Sequence, residues 1–226
     1  MVNNYPVLYI VSTPIGNLKD ITYRAVEVLS SVDLIASEDT RRTKILLNHY
    51  GIKKHLISYN DINKKRVTPE IIGRLQESNS VALVTDSGTP GISDPMYYLV
   101  KNAIVEDVKI VPIPGASALL AGIVTSGLPN DRFIFEGFIP PRKGRKKRFL
   151  QLKDERRTIV LFESPHRLIR TLEDLKYYLG NRRIAVCREL TKVYEEVIRM
   201  DIESVLGFYS KKQPKGEFVL VVEGKK

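Results

Sequence analysis

The stretch VALVTDSGTPGISDP, residues 81–95, changes character after its first four residues. Val81 to Val84 form an unbroken apolar run, which is typical of a strand buried on both faces of a parallel sheet. Small, turn-forming residues follow, and Asp94 and Pro95 suit the N-cap and first turn of a helix. The pattern predicts a strand, a loop and a helix, and open α/β sheets bind ligands at such carboxyl ends of strands. A tight connection that binds nothing would have the same pattern.

The order of strand, loop and helix recurs through the first half of the chain. Apolar runs at residues 7–11, 32–37 and 109–114 each precede a loop and then a helical pattern. This alternation predicts a mostly parallel sheet with helices on both faces. The expected helix boundaries are a cap at Asp20, a C′ glycine at Gly51, starts at Thr68-Pro69 and Ser164-Pro165, and an end at Gly180.

The second half has more strands for each helix, which predicts a mixed sheet. We therefore expect two α/β domains. Residues 1–118 would carry cofactor-binding loops, and residues 119–226 would complete a cleft for cofactor and RNA between the domains.

Composition narrows the class of protein. The 226 residues are 43% hydrophobic and 27% charged, as in an ordinary globular protein. The amino terminus lacks the features of a signal peptide and no apolar run has transmembrane length, which predicts a cytoplasmic protein without membrane association. The single cysteine, Cys187, is expected to pack as a small hydrophobe, and the histidines lack metal-ligand spacing, so we expect no metal.

The net charge of +10 favours a polyanionic partner, with nucleic acid first. The sharpest feature is PPRKGRKKRF, residues 140–149, in which six of ten residues are Lys or Arg. Read as a basic loop with one aromatic residue, it suits contacts to the phosphates of RNA or DNA. A solvated surface loop is the alternative.

Four loops follow apolar runs in the first half: residues 13–17, 37–42, 86–95 and 114–118. If the strands are parallel, all four meet at one edge of the sheet, the expected site of a nucleotide-like ligand. None is a Walker loop or a G-x-G-x-x-G turn, which disfavours a conventional NTPase or dinucleotide enzyme.

Eight motifs occur in a fixed order along nearly the whole chain: TPIGNL, EDTRRT, DSGTPGISDP, PGASALL, DRFIFEGF, ESPHR, RELTK and KGEFVLVVEG. In this set and order the chain resembles the ribosomal RNA small subunit methyltransferase I family, which has the tetrapyrrole methylase fold. The resemblance implies an S-adenosylmethionine-dependent homodimer that methylates the ribose 2′-oxygen of a decoding-centre cytidine in small-subunit rRNA.

The resemblance also implies cofactor contacts. They fall on the first and third loops, on PGASA and on one residue of the second domain: Pro14, Ser87, Gly88, Thr89, Pro90, Ile92, Ser117, Ala118 and, near the adenosine, Phe162. Asp86 is expected to accept a hydrogen bond from a hydroxyl or the amino group, unless it caps a turn.

A ribose hydroxyl is a poor nucleophile when protonated, so a general base is expected. Related enzymes place a carboxylate after the second strand, which points to Glu38 or Asp39, with Arg41 orienting a phosphate or the carboxylate. A structural pair of Arg41 with Asp39 at a helix start is the alternative.

RNA contacts are predicted for cations of the basic run and of ESPHR and RELTK: Lys143, Arg145, Lys146, Lys147, Arg148, His166, Arg167 and Lys192. ESPHR as a mere helix start and RELTK as an ion-pair network stay open. So do two other functions: methylation of a tetrapyrrole or protein side chain on the same fold, and RNA binding without catalysis.

Overall fold

The computed structural model describes residues 6–94 and 96–226. The predicted first-turn position of Pro95 and the first five residues lie outside the described residues. The chain divides into two compact units, Met1–Ser117 and Ala118–Lys226.

The first unit alternates strands and helices as predicted. Its elements are β1 (Val7–Val11), α1 (Tyr23–Ser31), β2 (Leu34–Ser37), α2 (Thr40–His49), β3 (His55–Ser58), α3 (Lys64–Gln76), β4 (Ser80–Val84), α4 (Met96–Val105) and β5 (Lys109–Ile113). The strands lie in the order β3-β2-β4-β1-β5, and every pair is parallel. The prediction of a parallel sheet is confirmed.

Helices cover both faces of this sheet because the strand residues alternate between two cores. Leu8 and Leu83 pack with residues of α3 and α4, such as Ile71 and Leu99. Residues of the opposite strand face pack against α1 and α2 in a second core. The three inner strands, β1, β2 and β4, are therefore buried on both sides, which explains their unbroken apolar runs, whereas the edge strands β3 and β5 are partly exposed.

Two helix starts differ from prediction. The N-cap of α1 is Thr22, whose hydroxyl accepts a hydrogen bond from the Ala25 amide, and Asp20 lies in a preceding 3-10 turn. Helix α3 begins at Lys64 and contains Pro69. An Asn60 side chain that accepts hydrogen bonds from the Ile62 and Asn63 amides orders the turn before it. Gly51, at φ +67°, follows α2 as predicted.

The second unit contains α5 (Ala118–Ser126), β6 (Phe133–Phe138), α6 (Arg145–Leu152), β7 (Thr158–Glu163), α7 (Leu168–Leu179), β8 (Arg183–Arg188), β9 (Glu196–Asp201), α8 (Ile202–Ser210) and β10 (Phe218–Val222). The sheet order is β6-β7-β10-β8-β9. β6 and β7 are parallel, and the other pairs are antiparallel, which confirms the predicted mixed sheet.

One face of this sheet packs against α6, α7 and α8 in a single core. Helix α5 packs on the other face, where a Cβ on Gly122 would come within 2.6 Å of Val219. Cys187 is buried there, and its thiol lies 3.7 Å from the Gly122 carbonyl oxygen, in keeping with its predicted packing role.

Two predictions for the second unit are wrong. The basic run was expected to be a loop, but its second half is helical because good helix formers there bury Arg145, Phe149 and Leu152 on one face. Helix α7 begins at Leu168 after a turn at residues 165–167, so Ser164 and Pro165 do not open it. Gly180, at φ +87°, ends α7 as predicted.

Within the described part of the chain, no helix combines the length and apolar character needed to cross a membrane.

Candidate active site

The predicted meeting of loops at one sheet edge is confirmed for the first unit. β1, β2, β4 and β5 run parallel, so the loops that follow them share the carboxyl edge. Thr13 and Gly88 exchange two backbone hydrogen bonds of 2.9 and 3.1 Å, which join the loops after β1 and β4. Thr13 Oγ1 also donates to the Thr85 carbonyl oxygen at 3.2 Å.

The loop after β5 is tied to the same point through hydroxyl groups. Ser12 Oγ and Thr89 Oγ1 lie 2.9 Å apart, and Thr89 Oγ1 donates to the Ala116 carbonyl oxygen at 3.1 Å. A Cβ on Gly115 would come within 2.8 Å of the Ser12 Cβ, so only glycine allows this approach. Three loops are thereby fixed against one another.

The loop after β4 has left-handed backbone at Gly88 (φ +88°) and Gly91 (φ +92°). Asp94 stabilises it, since its Oδ1 accepts from the Gly91 amide at 2.6 Å and from Met96 at 3.4 Å. Burial raises the pKa of Asp94. Among the residues predicted to bind the cofactor, Ser87 is exposed, Thr89 and Ile92 are half-buried, and Pro14, Gly88 and Pro90 are buried.

Glu38 lies directly after β2 and is half-buried. Its Oε2 accepts a hydrogen bond from Thr85 Oγ1 at 2.8 Å and a long one from the Asp86 amide at 3.5 Å. A small cavity is lined by Glu38, Thr85, Pro90 and Asp94, among others. The carboxylate is therefore oriented by the end of β4 and borders a recess.

Asp39 and Arg41 form the pair that the sequence left as an alternative. The Arg41 guanidinium donates to Asp39 Oδ2 at 2.6 Å and to Oδ1 at 3.0 Å, and the Arg41 amide donates to Oδ1 at 2.9 Å. Hydrogen bonds from Arg41 lower the pKa of Asp39 to about 2. A carboxylate that caps α2 and ionises so readily is a weak base.

Asp86 joins the loops after β2 and β4. Its Oδ1 accepts the Asp39 amide at 2.9 Å, and Arg42 lies 3.6 Å from its Oδ2. Desolvation by burial, and next the negative charge of Glu38, raise the pKa of Asp86. Asp86 therefore accepts a hydrogen bond that joins two loops of the first unit, and its contact with a ligand stays a prediction.

Asp86→Asn is expected to melt at the same temperature as the wild type or higher at pH 7. The asparagine side-chain oxygen can still accept the hydrogen bond from the Asp39 backbone amide. The substitution also removes a negative charge that burial and the nearby Glu38 carboxylate disfavour. Because the folded-state pKa is raised, wild-type stability grows as pH falls towards the unfolded value of about 3.9, so the difference should shrink on acidification. Thermal melts between neutral and acidic pH test this, with the exposed Asp131→Asn as control. A lower melting temperature for Asp86→Asn at pH 7 would contradict it.

Phe162 lies at the carboxyl end of β7 in an aromatic cluster of the second unit. Its ring centroid is 4.9 Å from that of Phe135 and 5.8 Å from that of Phe138. The next residue, Glu163, has a fully buried side chain. Ser117 precedes α5 and Ala118 is its first residue.

The Glu163 carboxylate accepts several hydrogen bonds that could not be predicted from the sequence. Its Oε1 accepts from the Ser164 amide at 2.8 Å and from Arg167 Nε at 2.7 Å. Its Oε2 accepts from Thr171 Oγ1 at 2.6 Å, and that hydroxyl accepts from Arg145 Nη2 at 2.9 Å. Buried acceptors paired in this way order the segments on which the donors lie.

The cations of the basic run separate into two groups. Lys143, Lys146 and Lys147 are exposed and have no ion-pair partner among the described residues, and Arg148 lies 3.2 Å from Glu136. Arg145 is buried, and its Nε donates to Asp174 at 2.7 Å. This guanidinium is engaged inside the second unit, which argues against its predicted contact with RNA.

The other predicted RNA contacts also differ from one another. His166 is exposed. Arg167 is held by Glu163 and donates to the Ile139 carbonyl oxygen at 3.1 Å. Lys192 lies 2.9 Å from both Glu189 and Glu217, which is the ion-pair network left open by the sequence.

Thr85, Glu163 and Thr171 are contributors that the sequence prediction missed, and Asp94 was predicted only as an N-cap, without its hydrogen bond from the Gly91 amide. Thr85 had a detectable signal, because a hydroxyl residue stands at the last position before Asp86 in a loop already singled out. The pairing of Glu163 with Thr171 had none, since it depends on how α7 packs against β7.

A larger cavity of about 750 Å³ lies elsewhere in the second unit, among residues 129–132, 151–158 and 223–226. It contains no predicted site residue, and its charged groups largely pair with one another, as in Arg157–Glu155 and Lys225–Asp154. We therefore place the candidate active site at the joined loops of the first unit and not in this cavity.

Comparison with known proteins first gives the class. The model of the tetrapyrrole (corrin/porphyrin) methylases matches residues 7–206. Solved structures share the fold: a uroporphyrin-III-C-methyltransferase from Thermus thermophilus aligns with a TM-score of 0.67 at 18% identity, covering 96% of this chain and 94% of its own. A diphthine synthase aligns with a TM-score of 0.72 at 18% identity, covering 97% and 90%. The fold and the two sheets are those of a tetrapyrrole methylase.

Curated relatives narrow the class further. Proteins named ribosomal RNA small subunit methyltransferase I are 49% identical in Synechocystis sp. (96% of this chain, 79% of the relative) and 47% identical in Thermotoga maritima (96% and 98%). The relative in Escherichia coli O157:H7 is 44% identical (99% and 80%). The chain belongs to the ribosomal RNA small subunit methyltransferase I family and is a methyltransferase, which excludes the alternative of RNA binding without catalysis.

Proposed function

We propose that the protein transfers a methyl group from S-adenosylmethionine to the ribose 2′-oxygen of a cytidine in the decoding centre of small-subunit rRNA. The proposal includes action as a homodimer in the cytoplasm. The names of the curated relatives support rRNA as the substrate. The observation that carries the chemistry is the junction of loops around Gly88, beside an oriented Glu38.

The donor set at this edge fits S-adenosylmethionine. That molecule presents an amino group, a carboxylate, ribose hydroxyls and an adenine, which loop backbone and hydroxyl groups can satisfy. Pro14 and the segment from Ser87 to Ile92 would hold it, with Asp86 accepting from a hydroxyl or the amino group. Ser117, Ala118 and Phe162 complete the proposed contact set.

When bound, the cofactor supplies a methyl group on a sulfonium sulfur. Glu38 takes the proton of the ribose 2′-hydroxyl onto its carboxylate, since the neutral hydroxyl is a poor nucleophile. Thr85 orients that carboxylate by donating to Oε2. Asp39 and Arg41 are assigned to the start of α2, because their mutual hydrogen bonds occupy both groups.

Two measurements test the proposed function. A ligand that binds only the folded state raises the melting temperature, so saturating S-adenosylmethionine must stabilise the protein. Labelled methyl should then pass to small subunits that lack the modification, and mapping should find it on a cytidine ribose. Absence of a thermal shift would exclude the cofactor, and label on a base, a tetrapyrrole or a protein side chain would exclude the 2′-oxygen.

Replacing Lys143, Lys146 and Lys147 with glutamine is expected to weaken binding to small-subunit rRNA and to flatten its salt dependence. Each phosphate contact to single-stranded nucleic acid contributes about 0.7 to the slope of log affinity against log salt, so three contacts give a change of about 2. These side chains are exposed, so stability and the thermal shift with S-adenosylmethionine should stay unchanged.

The matched control removes the same charge elsewhere, by replacing the exposed Lys44, Lys53 and Lys65 with glutamine. Titration of binding at several salt concentrations checks the prediction. An equal change of slope in both triple variants would show that net charge, and not the basic run, binds the RNA.

A further inference from the structure

Phe138 is an apolar aromatic residue left in solvent beside a cationic segment. Its side chain lies at the carboxyl end of β6, and the residue is 53% exposed. Single exposed apolar side chains are common on protein surfaces, so the case for Phe138 depends on what surrounds its ring.

A shift in strand register determines where this ring lies. Phe135 pairs with Val160 and Phe138 pairs with Phe162, so β6 uses three residues where β7 uses two. The extra residue makes Phe135 and Phe138 share a face although they are three positions apart. The backbone at Gly137 has φ +61°, which glycine adopts without strain. The irregularity re-aims Phe138 towards Phe162.

The Phe138 ring also contacts the guanidinium group of Arg167. Its guanidinium carbon lies 5.8 Å from the centroid of the Phe138 ring, in cation–π range. The guanidinium is itself fixed by Glu163 at 2.7 Å and by the Ile139 carbonyl oxygen at 3.1 Å. The exposed ring is therefore backed by a cation with little freedom to move.

The basic run is anchored beside the same irregularity. Glu136 at the register shift lies 3.2 Å from Arg148 of α6. Arg145 binds Asp174 at 2.7 Å, which fixes the start of α6. The exposed Lys143, Lys146 and Lys147 thus lie on a segment that the Arg148–Glu136 ion pair joins to β6, the strand that carries Phe138.

We propose that Phe138 is a stacking platform for an unpaired base of the RNA substrate, with Arg167 as the positioning residue behind the ring. This inference rests on the proposed function. Single-stranded RNA is recognised by aromatic rings that stack its bases next to cations that contact its phosphates, and both are present here. The adenine of S-adenosylmethionine fits less well, because that molecule has a sulfonium cation and no phosphate for the lysines.

The test compares Phe138→Ala, Phe138→Leu, Phe138→Tyr and the wild type in methyl transfer to small subunits that lack the modification. Loss of one stacked base weakens binding about 5- to 150-fold, so KM for the subunit should rise by that factor in the Ala and Leu variants. The Tyr variant keeps the ring and should retain the wild-type KM. The control is Tyr177→Ala, which removes another exposed ring of the same unit.

Each outcome bears on the inference. A wild-type KM for Phe138→Leu would show that apolar area suffices, and an unchanged KM for Phe138→Ala would show that the ring does not meet RNA. A reduced thermal shift with S-adenosylmethionine in Phe138→Ala would assign the ring to the cofactor. All three overturn the platform while the wild type still methylates the subunit. Failure of the wild type to transfer methyl to the 2′-oxygen would instead overturn the proposed function.

Discussion

Glu38→Gln is expected to lower the rate of methyl transfer by about 10²- to 10⁴-fold, the contribution of a positioned general base. Glutamine has nearly the same shape and can still accept the hydrogen bond that Thr85 donates to Oε2. It cannot take the proton of the ribose hydroxyl. The protein should therefore fold and bind S-adenosylmethionine normally while turnover falls, which single-turnover kinetics with saturating subunits would measure.

Two companion variants make the result specific. Glu27→Gln removes an exposed glutamate of α1 and should leave the rate unchanged. Asp39→Asn keeps an N-cap residue at α2, and its rate loss should be far smaller than that of Glu38→Gln, because Asp39 is already committed to Arg41. A rate for Glu38→Gln equal to that of the wild type would remove Glu38 from catalysis. A larger loss for Asp39→Asn would transfer the role to its neighbour.

Glu163→Gln is expected to destabilise the second unit by roughly 3 kcal/mol, the lower end of the range for breaking a buried ion pair, since Arg167 is partly exposed. The new amide would turn an N–H group towards the donors of Arg167 or Thr171, and one guanidinium would lose its counter-charge. The melting temperature should fall by roughly 6 to 12 °C in a chain of this size.

Glu173→Gln on α7 is the matched control, because Glu173 is exposed and has no ion-pair partner among the described residues. Thermal melts followed by circular dichroism would compare the two variants. Equal melting temperatures for Glu163→Gln and the wild type would mean that the Glu163 network adds nothing to stability. The weaker anchoring of Arg167 and Arg145 should also raise KM for the subunit, in line with the role given to Phe138.

Much of the fold could be predicted because it depends on local patterns. The apolar runs, the glycine-bearing loops and the relative number of helices predicted a parallel first sheet and a mixed second sheet. Helix boundaries were less predictable, as at Pro69, which lies inside α3. Proline and hydroxyl residues favour a helix start, but a turn ordered by Asn60 and the packing of Val67 began that helix earlier.

The candidate site could be predicted only in outline. Parallel strands bring their carboxyl ends together, so the junction of loops near Gly88 and Glu38 was predictable from the order of motifs. The ion-pair partners of the charged residues could not be predicted from the sequence. For Asp39 with Arg41, and for Lys192 with Glu189, the sequence could not distinguish an ion pair within the protein from a contact with a ligand. A cluster of charged residues has the same sequence in both cases.

The sequence by itself determined the class of fold, the edge of the first sheet that carries the loops, and the family to which the chain belongs. Only the tertiary structure decided which cations are available to a ligand and where Phe138 lies. Arg145 and Lys146 are neighbours in one basic run, yet one is buried against Asp174 and the other is exposed. The physical reason is that burial and pairing come from contacts between residues far apart in the chain, such as Arg145 with Thr171, which local periodicity does not encode.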